Sequence, residues 1–197
     1  MGMLVLAVPA AIGSLILFGG LAWLVAIQTT EGQATGNWMH MTLSSACGTS
    51  HQAAMLSRLT DYGLQGQFQP DGSLSFQGPG LEDDSTHMPR ALTRPGRFEL
   101  WQNGTVKYTR FKEAGVQISL QGTATAILML EETPDPDGLE LRIDGQPVEM
   151  EMNGNEVQLH ITEEGSQKAL RQATDWVVSM RYPLPCEVQV LDVREGP

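Results

Sequence analysis

The side chains best suited to nucleophilic or metal chemistry are few in this 197-residue chain, which has only four histidines and two cysteines. Nucleophilic catalysis needs a base oriented on a serine or cysteine, and metal hydrolysis needs ligands of fixed number and geometry. No histidine has a second histidine four residues away, and neither cysteine has another within three residues. These spacings favour no catalytic or metal-binding motif. We therefore expect a protein that is not an enzyme and uses no cofactor. The histidines are His40, His51, His87 and His160.

Individual polar positions have structural explanations. His87 follows Asp83 by four residues on a predicted helix, a spacing that favours a surface pair over a catalytic dyad. His160 alternates outward on a predicted strand, so we expect it to be solvent-exposed. The acidic stretch 135–138 lacks the spacing and the terminal Glu of a calcium loop, and is predicted to be a turn. The tripeptide 103–105 fits either a glycosylation acceptor or an Asn-Gly turn.

The two cysteines, Cys47 and Cys186, permit one disulfide if the domain lies in an oxidising compartment. A bridge requires the two Cα atoms to lie within about 7 Å of each other. The alternative, two unpaired buried thiols, stays open at this point because the sequence does not fix the distance.

The first thirty residues differ chemically from the rest, since no Lys, Arg, Asp or Glu occurs before Glu31. Residues 3–27 are uncharged and mostly apolar, and at about 1.5 Å per residue a helix of this length exceeds the ~30 Å hydrocarbon core. A cleaved signal peptide would have a shorter apolar region and a basic start. We predict a membrane anchor at 1–28 and a polar linker at 29–36. The first Arg or Lys after the anchor is Arg58, which favours an external domain.

The net charge of the chain is −11 at pH 7. An acidic surface with no Lys/Arg cluster disfavours binding to nucleic acid and to anionic lipid headgroups. We therefore expect no nucleic-acid partner.

Residues 37–101 predict the order strand, helix, strand, strand, helix, strand. The first helix is expected to begin near Thr49 or Ser50 and to end at Gly63. Pro70-Asp71-Gly72 is typical of a hairpin turn. Two corners, Pro79-Gly80 and Pro95-Gly96, bracket the second helix, which Asp83 or Asp84 would cap and which would run through Leu92 with Pro89 inside it. Gly80 and Gly96 are expected at positive φ.

The rest of the chain is predicted to be mostly strand over 102–131, then a loop at 132–138. Alternating residues over 139–161, separated by Asp144-Gly145 and Asn153-Gly154, predict a three-strand meander. A helix capped by Thr162 follows and ends at Pro183, before a last strand. The fold class is α+β, with a base at 37–131 and a smaller head at 132–197.

This order of elements resembles the first periplasmic region of SecD, a subunit of the bacterial protein-translocation motor. In that family a helix of the type R-x-x-x-x-G precedes a hairpin, an LPG corner, a short helix and a LEFR strand. The corresponding stretches here are RLTDYG (58–63), GPGLEDD (78–84) and RFELW (97–101). Glu164-Gly165 and Thr174 likewise fall where the family's head has an EG pair and a helix ending in Thr.

The resemblance implies a ferredoxin-like βαββαβ base, a single-pass anchor in the bacterial inner membrane and a periplasmic domain. It implies a non-enzymatic accessory that contacts exported polypeptide or translocase subunits, with exposed strand edges or the head as the receiving surface. SecD continues into further membrane helices that carry proton-coupled chemistry with SecF, so that chemistry is not expected of residues 1–197 alone. The alternative is a structural subunit of another envelope membrane complex.

Overall fold

A computed structural model describes residues 37–79, 81, 86–119, 123–161 and 165–196. Within these ranges no helix is long and apolar enough to cross a membrane. Several predicted features lie outside the described residues, namely the anchor (1–28), the linker (29–36), the corner glycine Gly80 and the caps Asp83, Asp84 and Thr162.

The described residues form twelve strands and three helices, so the predicted α+β class is confirmed. In chain order these are β1 Trp38–Ser45, α1 Gln52–Asp61, β2 Gln65–Phe68, β3 Leu74–Gln77, α2 His87–Thr93, β4 Phe98–Gln102, β5 Thr105–Tyr108, β6 Glu113–Ile118, β7 Ala124–Met129, β8 Leu139–Ile143, β9 Gln146–Val148, β10 Glu151–Asn153, β11 Glu156–Ile161, α3 Ser166–Arg181 and β12 Val188–Gly196. The strands make three four-stranded antiparallel sheets.

The first sheet, here called the base sheet, has the strand order β12-β1-β3-β2. Apolar and polar residues alternate along β1 and β3, so one face buries Met39, Met41, Leu74 and Phe76. Side chains of α1, α2 and the segment entering β12 complete this core. The base sheet is therefore covered by helices on one face.

One expectation about this sheet is wrong, because β4 does not belong to it. β4 pairs with β5 and β8 in a second sheet, of order β5-β4-β8-β9, where Phe98 and Leu100 join a different core. The edge position beside β1 is taken by β12, which pairs along the whole of β1. Consecutive elements are usually neighbours in space, and this regularity favoured β4 as the partner of β1. A long-range partner of nine residues occupies the edge instead.

The predicted three-strand meander is also divided. β8 and β9 complete the second sheet, whereas β10 and β11 form a third sheet of order β10-β11-β7-β6. The stretch 146–153 passes from one sheet to the other, yet its alternation is kept: Val148, Met150 and Met152 pack on the core and Glu149 and Glu151 are exposed. The face of each residue was predictable, but the identity of its sheet was not.

Two cores result. The base core lies between the base sheet, α1 and α2. The second core combines the other two sheets with one face of α3, and its α3 members are Ala169, Ala173, Val177 and Met180. The predicted boundary between residues 131 and 132 is crossed by three pairings, β4 with β8, β7 with β11 and β1 with β12. Residues 37–196 form one compact unit.

The ends of the helices explain two further differences. α1 begins after His51 without a side-chain cap, because the Ser50 hydroxyl donates instead to the Cys47 carbonyl. Its end is as predicted: Gly63 at φ 73° allows Gly63 N–H to reach the Thr60 carbonyl and the next N–H to reach the carbonyl of residue 59. α2 begins at His87, so Pro89 is its third residue. An N–H in the first turn has no intrahelical acceptor, and proline is tolerated there.

Candidate functional site

The most buried charged group of the described chain is the Arg58 guanidinium on α1, which is 0% exposed. It donates hydrogen bonds of 2.6–3.3 Å to six backbone carbonyl oxygens, so its charge is solvated by peptide dipoles rather than by a carboxylate. Burial lowers the pKa of Arg58 to about 10, which leaves it charged at neutral pH. The acceptors are the carbonyls of Ala91, Leu92, Arg94, Pro95, Ser179 and Tyr182.

These six carbonyls lie at the carboxyl ends of α2 and α3, where the last turn of a helix has unpaired C=O groups and a partial negative charge. Arg58 therefore joins three helices at one point. Sequence analysis missed this role, although a signal exists: Arg58 lies three residues after Met55 and four before Tyr62, on the stripe that faces the core. From the sequence alone, Arg58 was used only for the membrane topology and as the first residue of the R-x-x-x-x-G motif.

The second corner, Pro95-Gly96, lies directly against this point. Gly96 has φ 74°, and a Cβ there would overlap the backbone carbonyl of Ser179 on α3. The Pro95 carbonyl accepts a 2.8 Å hydrogen bond from the Leu184 N–H. The glycine is thus required both for its left-handed backbone and for the close approach of the corner to α3. Of the first corner, only the exposed Pro79 is described.

A shallow cavity of about 410 Å³ opens beside the carboxyl end of α1, where Pro79, Leu81 and the start of α2 face the first half of α3. Its wall combines apolar side chains with a few polar groups, the composition typical of a binding site. The lining residues are Tyr62, Leu64, Pro79, Leu81, His87, Met88, Gln167, Leu170, Arg171 and Thr174.

Asp175 connects two of the polar groups in this wall. Its Oδ1 accepts a 2.7 Å hydrogen bond from the Tyr62 hydroxyl and lies 3.3 Å from His87 Nε2. Burial raises the pKa of Tyr62 well above its ordinary range, and the negative charge of Asp175 raises it further. Tyr62 is therefore a hydrogen-bond donor throughout the physiological pH range. His87 faces Asp175 on α3, whereas the predicted partner Asp83 lies outside the described residues.

The hydroxyl of Thr174 and the imidazole of His87 in the cavity wall each have a partner within the protein. Thr174 donates to the Leu170 carbonyl at 2.9 Å within α3, and His87 is directed to Asp175. A nucleophile would require a base within hydrogen-bonding reach. Across the residues that the structure describes, no group of three His, Cys, Asp or Glu side chains is placed to hold a metal ion.

The other residues considered from the sequence are apart from this cavity. Cys47 and Cys186 are joined in a disulfide with Cα atoms 5.9 Å apart, linking the loop after β1 to the segment before β12. Asn103 and Gly104 form the β4–β5 turn at φ 51° and 76°. The side chain of His160 is 49% exposed, with Nε2 3.2 Å from Glu151. Asp135–Gly138 forms part of the exposed loop before β8.

No protein-family model matches the sequence, and a search of curated proteins found no match. Among solved structures, the crystal structure of SecDF in its super-membrane-facing form aligns with a TM-score of 0.55 at 12% sequence identity. The alignment covers 94% of this chain and 35% of the SecDF chain. The fold is SecDF-like.

A second SecDF structure, described as a membrane component that enhances protein export, aligns with a TM-score of 0.50 at 11% identity. This alignment covers 79% of the present chain and 99% of the SecDF chain. The chain therefore spans about a third of the first SecDF chain and nearly all of the second. At this identity the likeness is one of fold, so the SecDF structures show an architecture and leave the activity to be tested.

Proposed function

We propose that this protein is a non-enzymatic, SecD-like accessory of protein export, anchored by residues 1–28 in the bacterial inner membrane with the rest of the chain on the periplasmic side. The observation that carries this proposal is the SecDF-like fold, which aligns over 94% of the chain. The uncharged stretch of residues 3–27 supports the membrane anchor. The disulfide supports an oxidising compartment outside the cytoplasm.

Within this proposal the base is a ferredoxin-like unit whose last strand is β12. The order β12-β1-β3-β2, with α1 and α2 on one face, supports this assignment. The head then consists of β4 to α3 and is inserted between the second helix and the last strand of the base. Arg58 and Gly96 lie at the junction, which explains why the R-x-x-x-x-G motif and the second corner accompany this architecture.

The cavity beside α1 is the proposed contact for unfolded polypeptide. Its apolar wall suits a bulky apolar side chain, and the Tyr62 oxygen, whose proton is donated to Asp175, can accept a hydrogen bond from a peptide N–H. The free edge of β2, the last strand of the base sheet, is close by, because Leu64 lines the cavity immediately before β2 begins. An extended segment could pair with this edge while one side chain enters the cavity.

Site-directed photocrosslinking in cells with a translocation-arrested secretory precursor tests this function. A photoreactive residue at Gln167, on the exposed rim of the cavity, is expected to crosslink to the precursor or to a translocase subunit. The same residue at Lys107, exposed on β5 of the second sheet, is the control and should give neither product. Equal crosslinking from both positions, or none from Gln167, would contradict the proposal.

A second candidate is a structural subunit of another envelope membrane complex, since a likeness at 12% identity is one of fold. Copurification distinguishes the two candidates. Recovery of translocase subunits supports the export role, whereas a stable set of other membrane proteins with no translocase subunit supports the alternative.

A further inference from the structure

The base sheet has a second face, directed away from α1 and α2. Side chains alternate along each strand, so the residues between the buried positions of β1, β2 and β3 point to this side. We call this surface the outer sheet face and define it by six residues: Trp38, His40, Gln65, Gln67, Ser75 and Gln77.

The strand register aligns these side chains in two rows. Trp38 lies opposite Gln77, which lies opposite Gln65, and this gives the first row. His40 lies opposite Ser75, with Nδ1 and Oγ 2.9 Å apart, and Gln67 completes the second row. The first row crosses two inter-strand spacings of about 4.8 Å, or roughly 10 Å in all. A shallow depression of about 360 Å³ lies along it, lined by Trp38, Gln65, Gly66, Gln67, Ser75, Phe76 and Gln77.

Trp38 is held at one end of the depression by an unusual contact. Its indole lies against the backbone of Gly196 on β12, where a Cβ would overlap the ring atoms Cε2, Cζ2 and Nε1. The residue nevertheless remains 41% exposed. One side of the Trp38 ring thus packs against glycine backbone, and part of the ring is exposed to solvent. Partly exposed aromatic rings of this kind are typical of binding surfaces.

The depression has no charged lining, although the chain contains 12 basic and 23 acidic residues. Elsewhere on this side of the sheet, Arg194 of β12 pairs with Asp192 at 2.9 Å, and Asp71 in the turn between β2 and β3 interacts electrostatically with His40. Amide side chains provide donors and acceptors at once, as a ligand rich in hydroxyl groups requires. Within the depression an anion or a cation would meet no charged side chain, and an apolar peptide would find few apolar partners.

We propose that the outer sheet face binds an uncharged glycan. The apolar C–H side of one sugar ring would lie on the exposed indole of Trp38, and the hydroxyl or acetamido groups of the next ring would bond to the amides of Gln65 and Gln77. The length of the first row accommodates two sugar rings. This site is on the opposite face of the base sheet from the helices beside the export cavity, so it does not depend on the export role.

The full-length protein, purified in a detergent without a sugar headgroup, tests the proposal by titration calorimetry with two neutral probes, tetra-N-acetylchitotetraose and maltotetraose. Saturable binding of at least one probe is expected with a Kd of about 1 mM or tighter. Trp38→Ala should weaken that binding about tenfold or more, because the aromatic surface supplies most of the contact. Gln65→Ala, on the exposed edge strand, should weaken it about threefold and guards against misfolding of the Trp38 variant.

The matched control is Trp101→Ala, which removes a tryptophan stacked on Arg142 in the second sheet. This variant should bind the same probe as tightly as the wild type. The proposal is overturned if neither tetrasaccharide binds, or if Trp38→Ala and Gln65→Ala both bind like the wild type. It is also overturned if an uncharged Gln/Ser peptide binds this face while both tetrasaccharides do not.

Discussion

At the scale of single residues, Gly96 and Gly104 have the same backbone conformation, with φ 74° and 76°, but different surroundings. A Cβ at Gly96 would overlap the Ser179 carbonyl, whereas a Cβ at Gly104 has no neighbour within 4 Å. Gly104→Ala should therefore lower the free energy of unfolding by about 1 kcal/mol, the cost of left-handed backbone. Gly96→Ala should lower the free energy of unfolding by at least about 2 kcal/mol more than Gly104→Ala does, because α3 must also move. Urea unfolding of the two variants measures the difference. Equal losses would contradict the close packing of the corner on α3.

A second residue-scale prediction concerns acid sensitivity at His51. The ring is buried against Phe68 with centroids 5.6 Å apart, and burial lowers the pKa of His51 below its ordinary value. The unfolded chain therefore takes up a proton near pH 6.5, which the folded protein resists, so stability falls as pH decreases through this range. His51→Gln should make the free energy of unfolding depend less on pH between about pH 7 and 5. The slope should decrease by at most about 1.4 kcal/mol per pH unit.

Urea unfolding at a series of pH values measures this slope. His160→Gln, which removes a half-exposed histidine from β11, is the matched control. If the His51 variant kept the full acid dependence of the wild type, the assignment to His51 would be wrong.

The residue scale also shows what the sequence could indicate. The corner glycine Gly96 was accessible because Pro-Gly pairs between regular elements are typical of special backbone angles, and Asp144-Gly145 forms its turn at φ 55° and 78° for the same local reason. The buried hydrogen-bonding role of Arg58 was not predicted, since its six acceptors are backbone carbonyls of residues distant in the sequence. Backbone acceptors cannot be recognised from residue types. The position of Arg58 on the apolar stripe of α1 was therefore the one indication that its side chain is buried.

At the scale of elements, the carboxyl ends of α2 and α3 depend on Arg58. Arg58→Lys keeps a charge but loses the planar fork that reaches both helix ends. Several buried carbonyls would then lack donors, so we expect a loss of about 3 kcal/mol or more in the free energy of unfolding. Arg58→Met should lose a similar amount or more. Urea unfolding followed by circular dichroism measures both variants.

The matched substitution is Arg90→Lys, at an exposed position of α2, which should change stability by less than about 0.5 kcal/mol. Similar small effects at Arg58 and Arg90 would show that the helix ends do not need the buried guanidinium.

The bounds of several strands could be predicted from local residue patterns, whereas the sheet to which each strand belongs could not. Alternation and turn residues located β1, the β2–β3 hairpin, β8 and β11 close to their observed bounds. The partners of β4 and β12 are decided by which core each strand's apolar face completes, and that choice involves residues about 150 positions apart. The candidate cavity likewise could not be predicted, because its lining residues come from the end of α1, from α2 and from α3, which are far apart in the sequence.

At the scale of the whole molecule, the Cys47–Cys186 disulfide spans 139 residues. Closing a loop of this length restricts the unfolded chain, and the chain-entropy estimate for such a loop is about 4 to 5 kcal/mol. The double variant Cys47→Ser/Cys186→Ser should therefore melt at a clearly lower temperature than the oxidised wild type. Under strong reductant the two proteins should melt together. An unchanged melting temperature without reductant would contradict a stabilising role for the bond.

The same bond has a consequence for damage to the domain. Residues 47 and 186 enclose most of the described chain in one covalent ring, including the exposed loop that precedes β8. A single protease nick anywhere within that ring opens it without releasing a fragment, and β1 and β12 remain hydrogen-bonded beside the bridge. A nicked domain would thus migrate as one molecule on a gel without reductant and as two pieces with it. At the proposed periplasmic location, such a ring would hold the domain together after a cut that would divide an unbridged chain.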